Sequence, residues 1–121
     1  MPDFMPLHEI LKVVHPVPES ITGQLERIAT LKRYPRRSRL VTQDTRCDAV
    51  FFIADGLCRG LYEKEDKEDT RWFASAGDVV TSITSWRTGG PAIFSIEAIT
   101  EMTVYEISFE DMKAMLGEHI E

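Results

Sequence analysis

Thiols and imidazoles, the commonest nucleophiles, soft metal ligands and neutral-pH proton carriers, are few in this 121-residue chain. Its cysteines are Cys47 and Cys58, and its histidines are His8, His15 and His119. A thiol nucleophile works as a thiolate beside a base. Neither cysteine has a histidine near it in sequence, and no Ser/His/Asp grouping can be drawn. A metal site needs donors at converging spacings. No two histidines fall two or four residues apart, and the Cys47 to Cys58 interval fits no zinc pattern. Both cysteines read as reduced, space-filling thiols. The expectation is a chain that is not an enzyme and holds no metal.

What remains is the chemistry of contact. Trp72, Phe73 and Trp86 offer faces for a planar ligand, although such rings more often fill and cap a core. Lys32-Arg33-Tyr34-Pro35-Arg36-Arg37-Ser38-Arg39 puts five basic residues in eight positions. That run could serve phosphates or an acidic partner. Its first reading is a solvated helix end and loop, cations being favoured near a helix C-terminus.

The charge balance speaks against nucleic acid as a partner of this chain itself. There are 14 basic and 20 acidic residues, a net charge of -6, whereas duplex binding is driven by cations against phosphates. The first residues lack a basic segment followed by an apolar one, so no secretory signal is expected. The longest apolar run, Ala49 to Ala54, is far short of the roughly 18 residues a spanning helix needs. A cytoplasmic protein is expected, away from membranes.

One domain over 1–121 is the natural size class. Residues 5–31 read as helical. Leu7, Ile10, Leu11 and Val14 share one helix face, and His15-Pro16-Val17-Pro18 stops that helix. Ser20 is the expected N-cap of a second helix carrying Ile21, Leu25, Ile28 and Ala29. Residues 36–107 read as about seven or eight short strands. Val50-Phe51-Phe52-Ile53, the Asp55-Gly56 turn and Leu57 to Tyr62 make a strand, turn and strand. Glu63 to Asp69 is charged throughout and is expected at an exposed hairpin tip. Thr70 to Phe73 resumes a strand that Gly77-Asp78 turns. Phe94, Ile96 and Ala98 alternate with Ser95 and Glu97, and Met102 to Ile107 is a further strand. Ser108-Phe109-Glu110-Asp111 is a capping box opening a last helix over 108–118. The expected fold is mainly β with flanking helices, an antiparallel β-barrel or jelly roll (a double-stranded β-helix).

These residues, in this order, resemble the cyclic-nucleotide-binding domain of the Crp/Fnr family of bacterial transcription regulators. Phe52-Ile53-Ala54-Asp55-Gly56 is similar to the family's strand and turn ending in glycine. Trp72-Phe73-Ala74 followed by Gly77-Asp78 is similar to the corner before its phosphate-binding segment. Gly89-Gly90-Pro91 with Phe94 to Ala98 resembles the end of that segment and the strand after it. Val104 to Ser108 resembles the last strand before the outgoing helix.

The resemblance implies a ligand-sensing regulatory domain. Its pocket would lie between Gly77, Asp78, Thr81, Ser82 and Ile83 on one side and Ala92, Ile93 and Ser95 on the other, with Trp72 and Arg87 as secondary contacts. In the family a Gly-Glu-Leu step supplies the ribose acceptor, and an arginine after Gly-Pro neutralises the cyclic phosphate. Here those positions carry Thr81-Ser82-Ile83 and Ala92. Arg87 reads as solvated. A buried phosphate without its cation is heavily penalised, so no cofactor is expected and cyclic-AMP binding does not follow. The expected partners are a small-molecule effector, DNA only through a helix-turn-helix domain absent from this chain, and a weak homodimer. A barrel acting as a protein-interaction module is the alternative, and a cupin-type metalloenzyme the third reading.

Overall fold

The structure is a computed structural model that describes residues 4–14 and 19–120, without the side chains of 12–14, 19 and 116–120. The expected His15 to Pro18 stop lies outside the described residues, as do the side chains of Val14, Leu116 and His119. Two helices open the chain, α1 (Leu7–Val14) and α2 (Glu19–Ile28). The strands are β1 (Thr30–Tyr34), β2 (Arg39–Val41), β3 (Ala49–Asp55), β4 (Leu57–Lys64), β5 (Lys67–Ser75), β6 (Val79–Val80), β7 (Ser95–Ala98) and β8 (Met102–Ser108). Helix α3 (Ile83–Thr88) lies between β6 and β7, and α4 (Phe109–Ile120) follows β8.

The strands form two antiparallel four-stranded sheets, ordered β1-β8-β3-β6 and β2-β7-β4-β5. This is the expected mainly β fold with flanking helices, and of the two forms expected, barrel or jelly roll, it is the jelly roll: two sheets and not a closed barrel. No described strand pair joins one sheet to the other, so β5 and β6 keep free edges.

Strand β3 shows why the first sheet forms. Ala49 to Ala54 are all buried, as expected for a strand covered on both faces. Leu7, Ile10 and Leu11 of α1 belong to the core cluster that includes β3, and the Met5 amide donates to the Ala54 carbonyl at 2.9 Å. Ile53, Ile96, Met102, Val104 and Ile107 are fully buried and occupy three strands of the two sheets.

Three expected boundaries shift. The strands begin at Thr30, inside the span read as helical, because β1 pairs with β8 from Thr30↔Glu106 to Tyr34↔Met102. Half of the basic run is therefore sheet. Glu106 takes up two of its members, Lys32 Nζ at 2.6 Å and the Tyr34 hydroxyl at 2.6 Å. Burial and that carboxylate hold the Tyr34 phenol far above its ordinary range. Ser20 is not an N-cap, since α2 already starts at Glu19. The last helix runs two residues beyond 118, and Ser108 Oγ accepts the Asp111 amide at 3.1 Å, the cap its sequence specified.

The charged run is a hairpin whose turn is only Glu65-Asp66. Both turn residues sit at positive φ, 54° and 66°, the conformation of a type I′ turn that favours Asn-Gly. Replacing Glu65-Asp66 by Asn-Gly should raise stability by about 1 kcal/mol, read as a higher urea midpoint at unchanged slope.

The outer face of the second sheet is a lattice of ions over the fully buried Leu61. Arg39 Nη1 meets Glu63 Oε1 at 2.6 Å, and Arg59 Nη2 meets Glu97 at 2.9 Å and Glu68 at 3.1 Å. Arg39, whose hydrogen bond is the main cause, holds the Glu63 carboxyl below its ordinary 4.5. A depressed folded pKa contributes stability above the unfolded value, and that share is lost as pH falls through the folded one. The stability difference between wild type and Glu63→Gln should therefore be full at neutral pH and shrink below pH 4.5. Paired urea titrations along that range measure it.

Candidate functional site

The free edges of β5 and β6 meet at a tight turn. Gly77 has φ 99°, which a side chain would resist. Its amide donates to the Ile53 carbonyl at 2.9 Å, and the Asp78 amide donates to the Ser75 carbonyl at 2.9 Å. The Ser75 amide donates to Asp78 Oδ2 at 2.8 Å. This locked turn leaves the two edges splayed, and an open cleft of about 610 Å³ lies between them. Strand β5 contributes Trp72, Phe73 and Ala74, the turn Gly77 and Asp78, and β6 Val79 and Val80. Thr81 and Ile83 line it from the entry to α3, and Phe94 from the approach to β7.

Trp72 and Phe94 form its aromatic wall, ring centroids 5.7 Å apart and planes at 89°. The indole lies over Gly60 on the neighbouring strand. A Cβ there would fall among Cε2, Cζ2 and Nε1 of the ring. Gly60 and Trp72 face one another because Arg71 is an extra residue: Gly60 pairs with Trp72, and Leu61 with Thr70.

The segment from Thr81 to Ala92 is bound to the loop before β3. Thr81 Oγ1 donates to the Ala49 carbonyl at 2.7 Å, and the Cys47 amide donates to Ser85 Oγ at 3.2 Å. Ser85 Oγ donates to the Gly90 carbonyl at 2.7 Å. Ser82 is the N-cap of α3, its hydroxyl accepting the Ser85 amide at 3.2 Å. Gly89 closes the helix in the left-handed region at φ 75°. The Ala92 amide donates to the Thr45 carbonyl at 2.8 Å, and the Asp44 amide to the Ala92 carbonyl at 2.8 Å.

Of the residues expected at a site, the structure brings Gly77, Asp78, Thr81, Ile83 and Trp72 together on the cleft. Ser82 and Ala92 are buried, the first as a cap and the second as a backbone tie. Ile93 is exposed and is not among the lining residues. Ser95 is fully buried and bonded away from the cleft. Its hydroxyl accepts from Arg39 Nη1 at 3.1 Å and the Gln43 amide at 2.9 Å. Strand alternation puts it on the face opposite Phe94 and Ile96. Arg87 is exposed in the last turn of α3 and does not line the cleft. The sequence reading passed over Phe94, Val79, Val80 and Gly60. Phe94 had a usable signal, since it opens the inward series that includes Ile96 and Ala98.

The cleft is apolar with one charge. Asp78 is the sole ionisable lining residue, and no lysine or arginine faces it among the described residues. The buried Cys58 thiol is pushed up to about 11, first by burial and then by the Asp78 carboxylate. Thiolate chemistry is thereby closed to Cys58 near neutral pH. Among the described residues no three His, Cys, Asp or Glu side chains gather for a metal, and no helix is long and apolar enough to cross a membrane.

Helix α3 also touches the outgoing helix. Trp86 packs edge to face on Phe109 at the start of α4, with centroids 5.1 Å apart and planes at 79°. Lys113 Nζ sits 5.2 Å from the Trp86 centroid. Ile83 on the cleft and Phe109 on α4 are thus linked by one short helix and one ring contact.

A sequence profile of the cyclic nucleotide-binding domain matches residues 31–119. No curated protein matches the chain. Among solved structures, a cyclic nucleotide-binding domain from Methylobacillus flagellatus aligns with TM-score 0.80 at 18% identity, covering 93% of this chain and 66% of that one. The catabolite activator protein of Thermus thermophilus aligns with TM-score 0.78 at 16% identity, over 89% of this chain and 51% of that one. The regulatory subunit of a cAMP-independent protein kinase A from Trypanosoma brucei gives TM-score 0.80 at 14% identity, over 92% of this chain and 39% of that one. The chain spans between 39% and 66% of the length of these three structures.

Proposed function

The chain belongs to the cyclic nucleotide-binding domain family, and on that premise we propose that it is the ligand-sensing module of a Crp/Fnr-type transcription regulator whose effector is not an anionic cyclic nucleotide. The observation that carries the second half is the charge of the cleft, which offers Asp78 and no cation. A cyclic phosphate seated there would be desolvated beside a like charge. Ala92, at the position where the family places its phosphate arginine, is buried and closed off by the Thr45 and Asp44 backbone. The likeness to the Thermus thermophilus activator supports the regulatory role. The Trypanosoma brucei neighbour, described as cAMP-independent, is a precedent for this fold working without cAMP.

The mechanism is a population shift. A ligand in the cleft that favours one placement of Ile83 biases α3, and the Trp86–Phe109 contact passes the bias to α4. No step is chemical, so the module is not an enzyme. In a regulator α4 would lead toward a dimer interface and a DNA-binding domain, in the cytoplasm. The exposed Phe73, Ile83 and Ile93 favour a second reading, a module that presents this apolar rim to another protein.

A thermal-shift titration tests the exclusion. A ligand at about a hundred times its Kd would raise the midpoint of a domain this size by roughly 10 °C. Cyclic AMP and cyclic GMP at millimolar concentration should leave it unchanged. A saturable rise with either would overturn the reading.

A further inference from the structure

We propose that the cleft takes a compact organic cation, a methylated or quaternary ammonium group, held by the Trp72–Phe94 corner and the Asp78 carboxylate. The inference rests on the sensing role above and names its ligand class. Three aromatic rings, Trp72, Phe73 and Phe94, line a space whose single charge is negative. Ring faces carry negative potential, and a carboxylate beside them adds to it. The rings and the carboxylate therefore favour a cation over a neutral guest and a neutral guest over an anion.

Geometry supports the ring contribution. Trp72 has one face turned down on Gly60 and meets Phe94 at 89°. Two perpendicular rings make a corner in which a rounded ammonium group touches both. Asp78 makes no ion pair among the described residues, and Arg71, next to Trp72 in the sequence, is paired with Asp69 at 2.8 Å. Arg39 and Arg59 are bound into the outer lattice with Glu63, Glu68 and Glu97, so neither neutralises Asp78. The Asp78 backbone and one carboxylate oxygen fix the turn, which holds the charge in place without a partner cation. The apolar remainder, Val79, Val80 and Ile83, suits methyl groups better than a strongly hydrated primary ammonium.

The test compares three probes of one shape: choline, its uncharged isostere 3,3-dimethylbutan-1-ol and the anion 3,3-dimethylbutyrate. Binding is followed by calorimetry and by Trp72 emission in a Trp86→Phe chain. Choline should bind about tenfold tighter than the alcohol, and the carboxylate should not bind. Asp78→Asn keeps an oxygen for the Ser75 amide and should remove most of the preference for choline. Equal binding of choline and the alcohol, or no binding of choline, overturns the inference. The sensing role is read separately, from amide exchange along α4 in the wild-type chain. Where choline and the alcohol bind equally, exchange that responds to the alcohol leaves that role standing while the ligand class fails. Choline bound in the cleft with α4 exchange unaltered leaves the class standing and removes the role.

Discussion

Gly60→Ala should unseat Trp72 and destabilise the protein by about 2 kcal/mol. An alanine in a strand interior is ordinarily the better residue, by roughly 0.5–1 kcal/mol. Here the sign reverses, because the added methyl would occupy the place of three indole atoms. Overpacking of this kind typically costs about 1–3 kcal/mol. The indole escapes only by leaving its contact with Phe94, and that contact is one wall of the cleft. Two signals should move together: a lower urea midpoint and a red-shifted Trp72 emission, read in a Trp86→Phe background. Gly60→Ala combined with Trp72→Leu should be less destabilised than the sum of the two single changes, since the second removes what the first collides with. Strict additivity would mean that the indole does not rest on Gly60.

That dependence illustrates which parts of the molecule a sequence displays. Strand β3 was legible because Ala49 to Ala54 is an unbroken apolar run, and burial on both faces demands one. The start of α4 was legible because a cap is local chemistry, complete within Ser108 to Asp111. Strand β1 was not. Four of its five residues are exposed, so Thr30 to Tyr34 shows no inward alternation, and only pairing with β8 makes it a strand. The open form of the sandwich was equally hidden, since the gap between β5 and β6 is a property of long-range pairing.

The site divides along the same line. Gly77, Asp78, Thr81 and Ile83 are neighbours in sequence, and a tight turn followed by a short helix keeps them neighbours in space. Ser95 was expected on the pocket side as part of the segment from Ala92 to Ser95, whereas the alternation of Phe94 and Ile96 sends its side chain to the other face, under Arg39. Gly60 could not be found by any local rule. Its value depends on a cross-strand register that the extra residue Arg71 sets. That Ala92 stands where the resemblance puts the phosphate arginine is a matter of residue type, open to the sequence alone.

Trp86→Ala should lower stability by about 3 kcal/mol and, in the same step, release α4 from α3. The indole is half-buried between two elements, with Phe109 edge to face at 5.1 Å and the Lys113 ammonium over its ring at 5.2 Å. Truncating a large aromatic in such a place forfeits both burial and ring geometry. The loss would be unevenly felt, because Phe109 is tied to the body on its other side, its amide donating to the Asp48 carbonyl at 2.8 Å. The first turn of α4 should therefore stay docked while the turn around Lys113 loses protection. Hydrogen exchange resolved along α4 checks this. A double-mutant cycle between Trp86→Ala and Phe109→Leu should return a coupling of about 1 kcal/mol. Uniform loss of protection across the whole molecule, or a coupling near zero, would show that Trp86 is only general core and that the cleft has no mechanical line to the outgoing helix. Lys113→Met gives the complementary result: it keeps the stem over the ring and removes the charge. It should cost well under 1 kcal/mol, as expected for an exposed cation–π contact, so that the apolar edge-to-face pair, and not the charge, is what a ligand-driven shift of α3 would have to move.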